Sequence, residues 1–109
     1  MSIFRLKRND TSPSLSVTLK DSAGTAVDLS GATVRFHMKV PNASSAKVDA
    51  AATIDSDPTT GVVQYDWQSG DTDTVGTYYA ELEVTYGDAS VESFPNNGNF
   101  VVIIKPDQA

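Results

Sequence analysis

The chain of 109 residues contains no cysteine, a single histidine and no long apolar run. Without cysteine it can form neither disulfide bonds nor thiolate metal sites, and its redox compartment stays open. The longest unbroken apolar run is residues 100–104, whereas a membrane-spanning helix needs about 18 apolar residues. The N-terminus becomes basic at Arg5 before any apolar run begins. The sequence therefore predicts neither a cleaved secretion signal nor a membrane partner.

Basic residues are also scarce. The chain has eight Lys and Arg and fourteen Asp and Glu, which gives a net charge of −6. This balance argues against nucleic acid as a partner, because binding to phosphates depends on Lys and Arg. Residues 1–47 contain seven basic and three acidic residues, whereas residues 48–109 contain one basic residue, Lys105, and eleven acidic ones. Either strands from the two halves lie side by side and the charges mix, or the molecule is polar and docks on oppositely charged neighbours.

Alternating apolar residues, separated by turn residues at intervals of about ten, indicate β-strands throughout the chain. The predicted strands are residues 3–7, 15–20, 32–40, 47–54, 62–67, 77–86, 91–94 and 100–105, with turns at 57–61 and 95–98 among others. This pattern favours an all-β fold, an Ig-like antiparallel β-sandwich of about seven or eight strands. We expect one domain over residues 1–105 and a short C-terminal tail at 106–109.

The strand at residues 32–40 is predicted to bury Val34, Phe36, Met38 and Val40, and to expose the residues between them. His37 is one of those outward residues. An exposed spacer is the better interpretation of a lone strand histidine than a catalyst.

Two adjacent tyrosines begin the strand at residues 77–86. In Ig-like sandwiches, a tyrosine at the start of a late strand bonds through its hydroxyl to the backbone upstream. Gly76, Tyr78 and Ala80 are predicted to form this fold-determining corner. Tyr79 then points outward with Glu81 and Glu83, which makes Tyr79 a candidate protein–protein contact.

No motif amounts to an active site, so the sequence predicts no enzyme, no catalytic residue and no cofactor. Two pairs of aspartates, Asp55 with Asp57 and Asp71 with Asp73, are each two residues apart, a spacing with which a calcium-binding loop could begin. Neither pair is followed by the glycine and distal glutamate of an EF-hand loop. Solvated turn residues are the better interpretation, and no metal site is predicted.

The N-terminal strand contains the densest cluster of one sign of charge: Arg5, Lys7 and Arg8. Arg5 and Lys7 lie on one face, opposite Phe4 and Leu6. The strand either completes the sheet of this domain or acts as an arm that augments a neighbour's sheet. In both cases the three cations are candidate protein–protein contacts.

Residues 8–38, 60–67 and 76–103 resemble the N-terminal domain of the phage baseplate upper protein family, and the resemblance covers nearly the whole chain, from about Phe4 to Ile104. The resemblance rests on residues 27–31 (Val-Asp-Leu-Ser-Gly), 34–36 (Val-Arg-Phe), 76–81 (Gly-Thr-Tyr-Tyr-Ala-Glu) and 94–98 (Phe-Pro-Asn-Asn-Gly). It implies an Ig-like sandwich without enzymatic activity that attaches a larger protein to the virion. Members of the family usually continue into long C-terminal regions, so a chain that ends four residues after Lys105 is expected to be a stand-alone module.

The first hypothesis is therefore a structural virion protein of a tailed bacteriophage, made in the host cytoplasm. Its partners would be other virion proteins, in a symmetric homo-oligomer or in multiple copies. The tail or baseplate is favoured as its location, and the neck or a capsid decoration stays open. The alternative is a glycan- or cell-surface-binding module, suggested by the aromatic residues Tyr65, Trp67, Tyr79 and Tyr86.

Overall fold

The fold is all-β in the computed structural model, which describes residues 3–95 and 100–106. The strands are β1 Ile3–Lys7, β2 Leu15–Thr18, β3 Thr33–Lys39, β4 Val48–Ile54, β5 Val62–Tyr65, β6 Gly76–Thr85, β7 Val91–Phe94 and β8 Phe100–Lys105. One 3-10 turn, Pro58–Thr60, precedes β5. Within the described part of the chain, no helix is long and apolar enough to cross a membrane. The predicted all-β class and number of strands are confirmed.

The strands form two sheets that are joined through β4. The large sheet has the order β1-β8-β6-β3-β4, with β7 paired to the C-terminal half of β6. The small sheet consists of β2, β5 and the end of β4. Residues 48–52 pair with β3, whereas residues 53–54 pair with β5, so β4 passes from one sheet to the other. The result is the predicted β-sandwich with a continuous, barrel-like order of strands.

One strand pair departs from the antiparallel pattern. β1 lies parallel to β8, with Arg5 beside Ile103 and Lys7 beside Lys105. All other strand pairs in the described residues are antiparallel. The first and last strands of the fold therefore lie together at one end of the large sheet.

Aromatic residues from both sheets meet in the core. Phe36 on β3 is fully buried, stacks on Tyr65 at 4.5 Å and meets the edge of Trp67 at 5.6 Å between ring centroids. Phe4 on β1 is half-buried and stacks on Trp67 at 6.0 Å. Offset and edge-to-face arrangements are those that aromatic pairs prefer. The indole N–H of Trp67 has no hydrogen-bond acceptor among the described residues.

The turn before β5 follows its sequence pattern. Asp57 accepts a hydrogen bond from the backbone N–H of Thr59 at 3.1 Å, and Gly61 ends the turn with φ of 70°. A Cβ on Gly61 would lie 2.7 Å from the carbonyl oxygen of Leu19. Both the left-handed backbone and the close approach therefore require glycine.

Three details differ from the sequence expectations. Val40 is half exposed rather than inward, because β3 ends at Lys39 and Pro41 cannot continue a ladder. β2 ends at Thr18, and beyond it Lys20 forms only an isolated bridge with Ala26. The predicted strand at residues 62–67 ends at residue 65. The predicted turn at residues 95–98 lies mostly outside the described residues.

Candidate functional site

Three of the predicted contact residues lie together at the end of the large sheet. Arg5 and Lys7 are exposed on the outer face of β1, and Arg8 follows the strand, where its N–H donates to the carbonyl of Lys105 at 2.8 Å. Lys105 is the cross-strand neighbour of Lys7. We call these four cations the basic corner. Lys105 was missed from the sequence, because only the parallel pairing of β1 with β8 brings it there.

The basic corner has no acidic partner within the described part of the chain. None of its cations lies within ion-pair distance of a carboxylate among residues 3–95 and 100–106. Elsewhere the two halves of the chain do mix their charges: Arg35 lies 2.8 Å from Asp49, and Lys47 pairs with Asp73. The mixing of charges between the two halves is therefore seen at Arg35 and Lys47. Docking of the basic residues on an oppositely charged neighbour stays a prediction.

Tyr79 lies on the same outer face as Arg5 and Lys7. Its cross-strand neighbours are Lys39 on β3 and Val101 on β8, and Val101 in turn neighbours Ile3 on β1. Tyr79 is 39% exposed and Ile3 is 48% exposed. Val101 between them is buried. We call Tyr79, Val101 and Ile3 the apolar row, of which Tyr79 and Ile3 are exposed. Because Ile3 and Arg5 lie two residues apart on one strand face, the apolar row borders the basic corner.

A cluster of charged side chains lies on the central part of the same face. His37 on β3 stands between two carboxylates, with Nε2 at 3.2 Å from Asp49 Oδ1 and Nδ1 at 3.6 Å from Glu81 Oε1. The hydrogen bond from Arg35 is the main cause that lowers the pKa of Asp49, and the nearby His37 adds to it. A groove beside this cluster is lined by His37, Glu81 and Tyr79. The outward position predicted for His37 is confirmed, although the side chain is partly covered.

This cluster does not form a metal site. The two carboxylates approach different nitrogens of the His37 ring, so the three groups do not converge on one point. Across the described chain, no group of three or more His, Cys, Asp or Glu side chains is arranged to hold a metal ion.

The two carboxylate pairs suggested by the sequence are occupied within their own turns. Asp55 accepts the N–H of Asp57, whose own side chain caps the 3-10 turn. Asp71 accepts hydrogen bonds from the Tyr65 hydroxyl and from a backbone N–H, and the bond from Lys47 lowers the pKa of Asp73. These contacts support their interpretation as turn residues.

The residues of the predicted corner lie at the start of β6. The buried Tyr78 donates its hydroxyl to the carbonyl of Thr74 at 2.7 Å, and burial raises the pKa of Tyr78. Gly76 pairs with Ile104, and Ala80 is buried against the core. The hydrogen bond has the form expected of a tyrosine corner. The role of these residues in determining the fold stays a prediction.

The aromatic residues do not form a platform for a sugar ring. Tyr65 and Trp67 are buried in the core. Tyr86 is half-buried, and burial together with its hydrogen bond to Glu92 raises its pKa to about 12. Of the four tyrosines and the tryptophan, Tyr79 is the one classed as exposed.

The outer face of this small β-sandwich thus presents the exposed cations Arg5 and Lys7 beside the exposed side chains of Ile3 and Tyr79. The chain belongs to the BppU N-terminal domain family, whose model matches residues 2–109. This is the family of the baseplate upper protein N-terminal domain, so the chain is a structural domain of the phage baseplate type. Such a domain is part of the virion and contacts other virion proteins.

A solved structure with a similar fold is CopC from Methylosinus trichosporium OB3b. The two share 12% sequence identity with a TM-score of 0.56, over 100% of this chain and 89% of CopC. At this identity the likeness concerns the fold alone. No curated protein sequence matches the chain.

Proposed function

We propose that this chain is a non-enzymatic, Ig-like docking module of a tailed-phage virion and that it binds another virion protein through Arg5, Lys7, Arg8 and Tyr79. The observation that carries the proposal is the position of Arg5, Lys7 and Lys105 beside the apolar row on one face of the large sheet. Tail or baseplate is the favoured location. The protein would be made in the host cytoplasm and incorporated in multiple copies or as a symmetric oligomer.

The composition of this face supports binding to protein. Arg and aromatic residues are enriched in protein interfaces, and a central apolar contact with a polar rim is their usual anatomy. Here Tyr79 and Ile3 supply exposed apolar surface, and the basic corner supplies the rim. Uncompensated cations would also steer an acidic partner towards this face and set its orientation.

The proposal is tested by incorporation of a charge-reversed protein into particles. The triple variant Arg5→Glu, Lys7→Glu, Arg8→Glu should be lost from purified virions, as measured by mass spectrometry of the particles. The isolated variant should stay folded, because all three side chains are exposed. Circular dichroism and chemical denaturation of the isolated domain check this second point.

A control lies at the other end of the sheet order, on and after β2. The variant Ser16→Glu, Thr18→Glu, Lys20→Glu also introduces glutamate at three exposed positions and changes the net charge by −4, against −6 for the triple variant of the basic corner. It should be incorporated normally. Equal incorporation of both triple variants would rule out docking through the basic corner, and equal loss would mean that added negative charge alone prevents assembly.

The glycan-binding alternative is left with one exposed aromatic ring, Tyr79. Small-molecule sites are usually concave and lined mainly by apolar and aromatic side chains, with a few placed polar groups. Among the Phe, Trp and Tyr residues described, the groove beside Tyr79 is lined by Tyr79 alone, and its other lining residues are small, polar, charged or aliphatic. The geometry therefore favours protein binding, and a glycan array with the isolated domain should show no bound glycan.

A further inference from the structure

We infer that β1 accepts an additional antiparallel strand from a different protein, and that this strand carries carboxylates on alternate residues opposite Arg5 and Lys7. The inference rests on the proposed docking function and names the chemistry of the partner segment. It depends on the backbone of β1 as well as on its charges.

One edge of β1 is open. β8 pairs with the opposite edge, and none of the described strands pairs with this one. The N–H of Arg8 donates to Lys105, so the backbone groups of Arg8 face β8. Because the hydrogen-bonding direction alternates along a strand, the N–H and C=O of Arg5 face the open edge. The C=O of Lys7 is already bonded by the N–H of Asp10 at 3.0 Å. Strand addition would therefore centre on Arg5.

The side chains of β1 define what an added strand should carry. On an antiparallel neighbour, the residue opposite Arg5 projects from the same face, with a Cβ separation of about 5 Å. A carboxylate at that position faces Arg5, and one two residues earlier faces Lys7. On the inner face, Leu6 is buried and Phe4 is half-buried, which favours apolar residues between the carboxylates. The expected partner thus alternates acidic and apolar residues.

The large sheet already contains this arrangement at its centre. β6 pairs antiparallel with β3, and Glu83 and Glu81 lie opposite Arg35 and His37. The residues between and after the glutamates, Leu82 and Val84, point into the core. The outer face of β3 is therefore flanked by an acidic, alternating strand in this register, while the guanidinium of Arg35 bonds to Asp49 of β4 on its other side. The basic outer face of β1 has Ile103 and Lys105 on its paired side and an open edge on the other.

Charge disfavours β1 of a second copy of this chain as the added strand. Two β1 strands paired antiparallel around Arg5 would place Arg5 opposite Arg5 and each Lys7 opposite Ile3. Like charges directly opposite each other destabilise a strand pair. An acidic strand from another virion protein has no such conflict. Main-chain hydrogen bonds would supply affinity, and the exposed charge pairs would set the register.

The experiment uses a peptide with the sequence of residues 80–86 (Ala-Glu-Leu-Glu-Val-Thr-Tyr), which has the required alternation. It is titrated into the whole chain and followed by NMR. We expect shifts of the Ile3, Arg5 and Lys7 amides. A peptide with both glutamates replaced by lysine should bind about tenfold more weakly, which corresponds to about 1.4 kcal/mol. The chain variant Arg5→Glu, Lys7→Glu should prefer the lysine peptide.

Backbone methylation separates strand addition from simple charge attraction. A methyl on the nitrogen of the second glutamate, opposite Arg5, removes a donor that faces β1 and should abolish binding. The same methyl on the leucine removes a donor that faces away and should leave binding within about twofold. A peptide of reversed sequence tests the antiparallel direction and should bind more weakly. Equal effects of the two methyl groups, or equal binding of the acidic and lysine peptides, would overturn the inference.

The peptide titration tests the acidic added strand, and the particle experiment tests the docking function. Either one can be contradicted while the other stands. If the acidic peptide does not bind but the triple variant is lost from virions, the docking function stands and the acidic strand is wrong. If the peptide binds as expected but the triple variant is incorporated normally, the docking function is wrong.

Discussion

Two pairs of outward basic side chains lie on the same face of the large sheet, Arg35 and His37 at its centre and Arg5 and Lys7 at its edge. At the centre, Arg35 and His37 each meet a carboxylate of a neighbouring strand within 3.2 Å. At the edge, Arg5 and Lys7 have no carboxylate partner within the described chain. Basic side chains on this face thus have different surroundings at the centre and at the edge of the sheet. The central charges are satisfied within the molecule, whereas those at the edge are available to a partner.

The inner face shows the same contrast. Phe36 at the centre is fully buried among three aromatic rings, Tyr65, Trp67 and Phe100. Phe4 at the edge is half-buried and stacks on Trp67 alone. β1 therefore contributes less to the core than β3 does, while its outer face contributes more to the exposed surface.

The largest expected effect compares these two phenylalanines. Phe36→Ala should lower the free energy of unfolding by about 3–5 kcal/mol, because it removes a fully buried ring and leaves a cavity. Phe4→Ala should lower it by about 1.5 kcal/mol, because the ring is half-buried. Urea denaturation of the isolated domain measures both values. Equal losses would mean that β1 is as much a part of the core as β3.

The next effect concerns the two adjacent tyrosines of β6. Tyr78→Phe removes the hydrogen bond to the Thr74 carbonyl and should cost about 0.5–1.5 kcal/mol. Tyr79→Ser changes an exposed side chain and should cost less than about 0.5 kcal/mol. The same denaturation experiment compares them. If Tyr79→Ser is the more destabilising change, the two faces of β6 have been assigned the wrong way round.

Much of the fold could be predicted from the sequence, because a period of two in hydrophobicity reports directly which face of a strand is buried. The alternation from Val34 to Met38 predicted an inner and an outer face, and the structure has both. It failed at Val40, where the pattern continues but the ladder ends before Pro41. Hydrophobicity marks the face of a residue, whereas strand ends depend on pairing partners.

The candidate site could be predicted only in part, because pairing between distant strands leaves little trace in one sequence. Arg5, Lys7 and Arg8 are adjacent in the chain, so their cluster was visible. Lys105 joins them only through the parallel register of β1 and β8. The apolar row likewise combines residues from three strands. The outward orientation of Tyr79 was predicted from the sequence, but the identity of its cross-strand neighbours was not.

A pH-dependent effect should distinguish the paired centre from the unpaired edge. The pKa of Asp49 is lowered in the folded protein, chiefly by Arg35, so ionised Asp49 stabilises the fold. This contribution is present above the unfolded pKa of about 3.8 and is lost as the pH falls through the lower folded pKa. The stability difference between wild type and Asp49→Asn should therefore shrink as the pH is lowered below about 4.

The edge supplies the control for this pH experiment. Arg5 has no carboxylate partner in the described residues, so the difference between wild type and Arg5→Gln should stay flat over the same pH range. Thermal or urea denaturation at a series of pH values measures both differences. A pH-dependent difference for Arg5→Gln would reveal an acidic partner of β1 within the chain and would remove the contrast between centre and edge.

The smallest expected effect concerns Lys7 on the edge strand, where a substitution should raise the free energy of unfolding rather than lower it. Lys7 and Lys105 are cross-strand neighbours of like charge, and such pairs are destabilising. Lys7→Gln should therefore raise the free energy of unfolding by a few tenths of a kcal/mol, about the size of other exposed charge interactions. The gain should vanish in 1 M salt, where the screening length falls to about 3 Å. Lys20→Gln, at an exposed position after β2, should show no gain. Under the proposed strand addition, an acidic neighbour would relieve part of this repulsion, so the two lysines would destabilise the bound domain less than the isolated one.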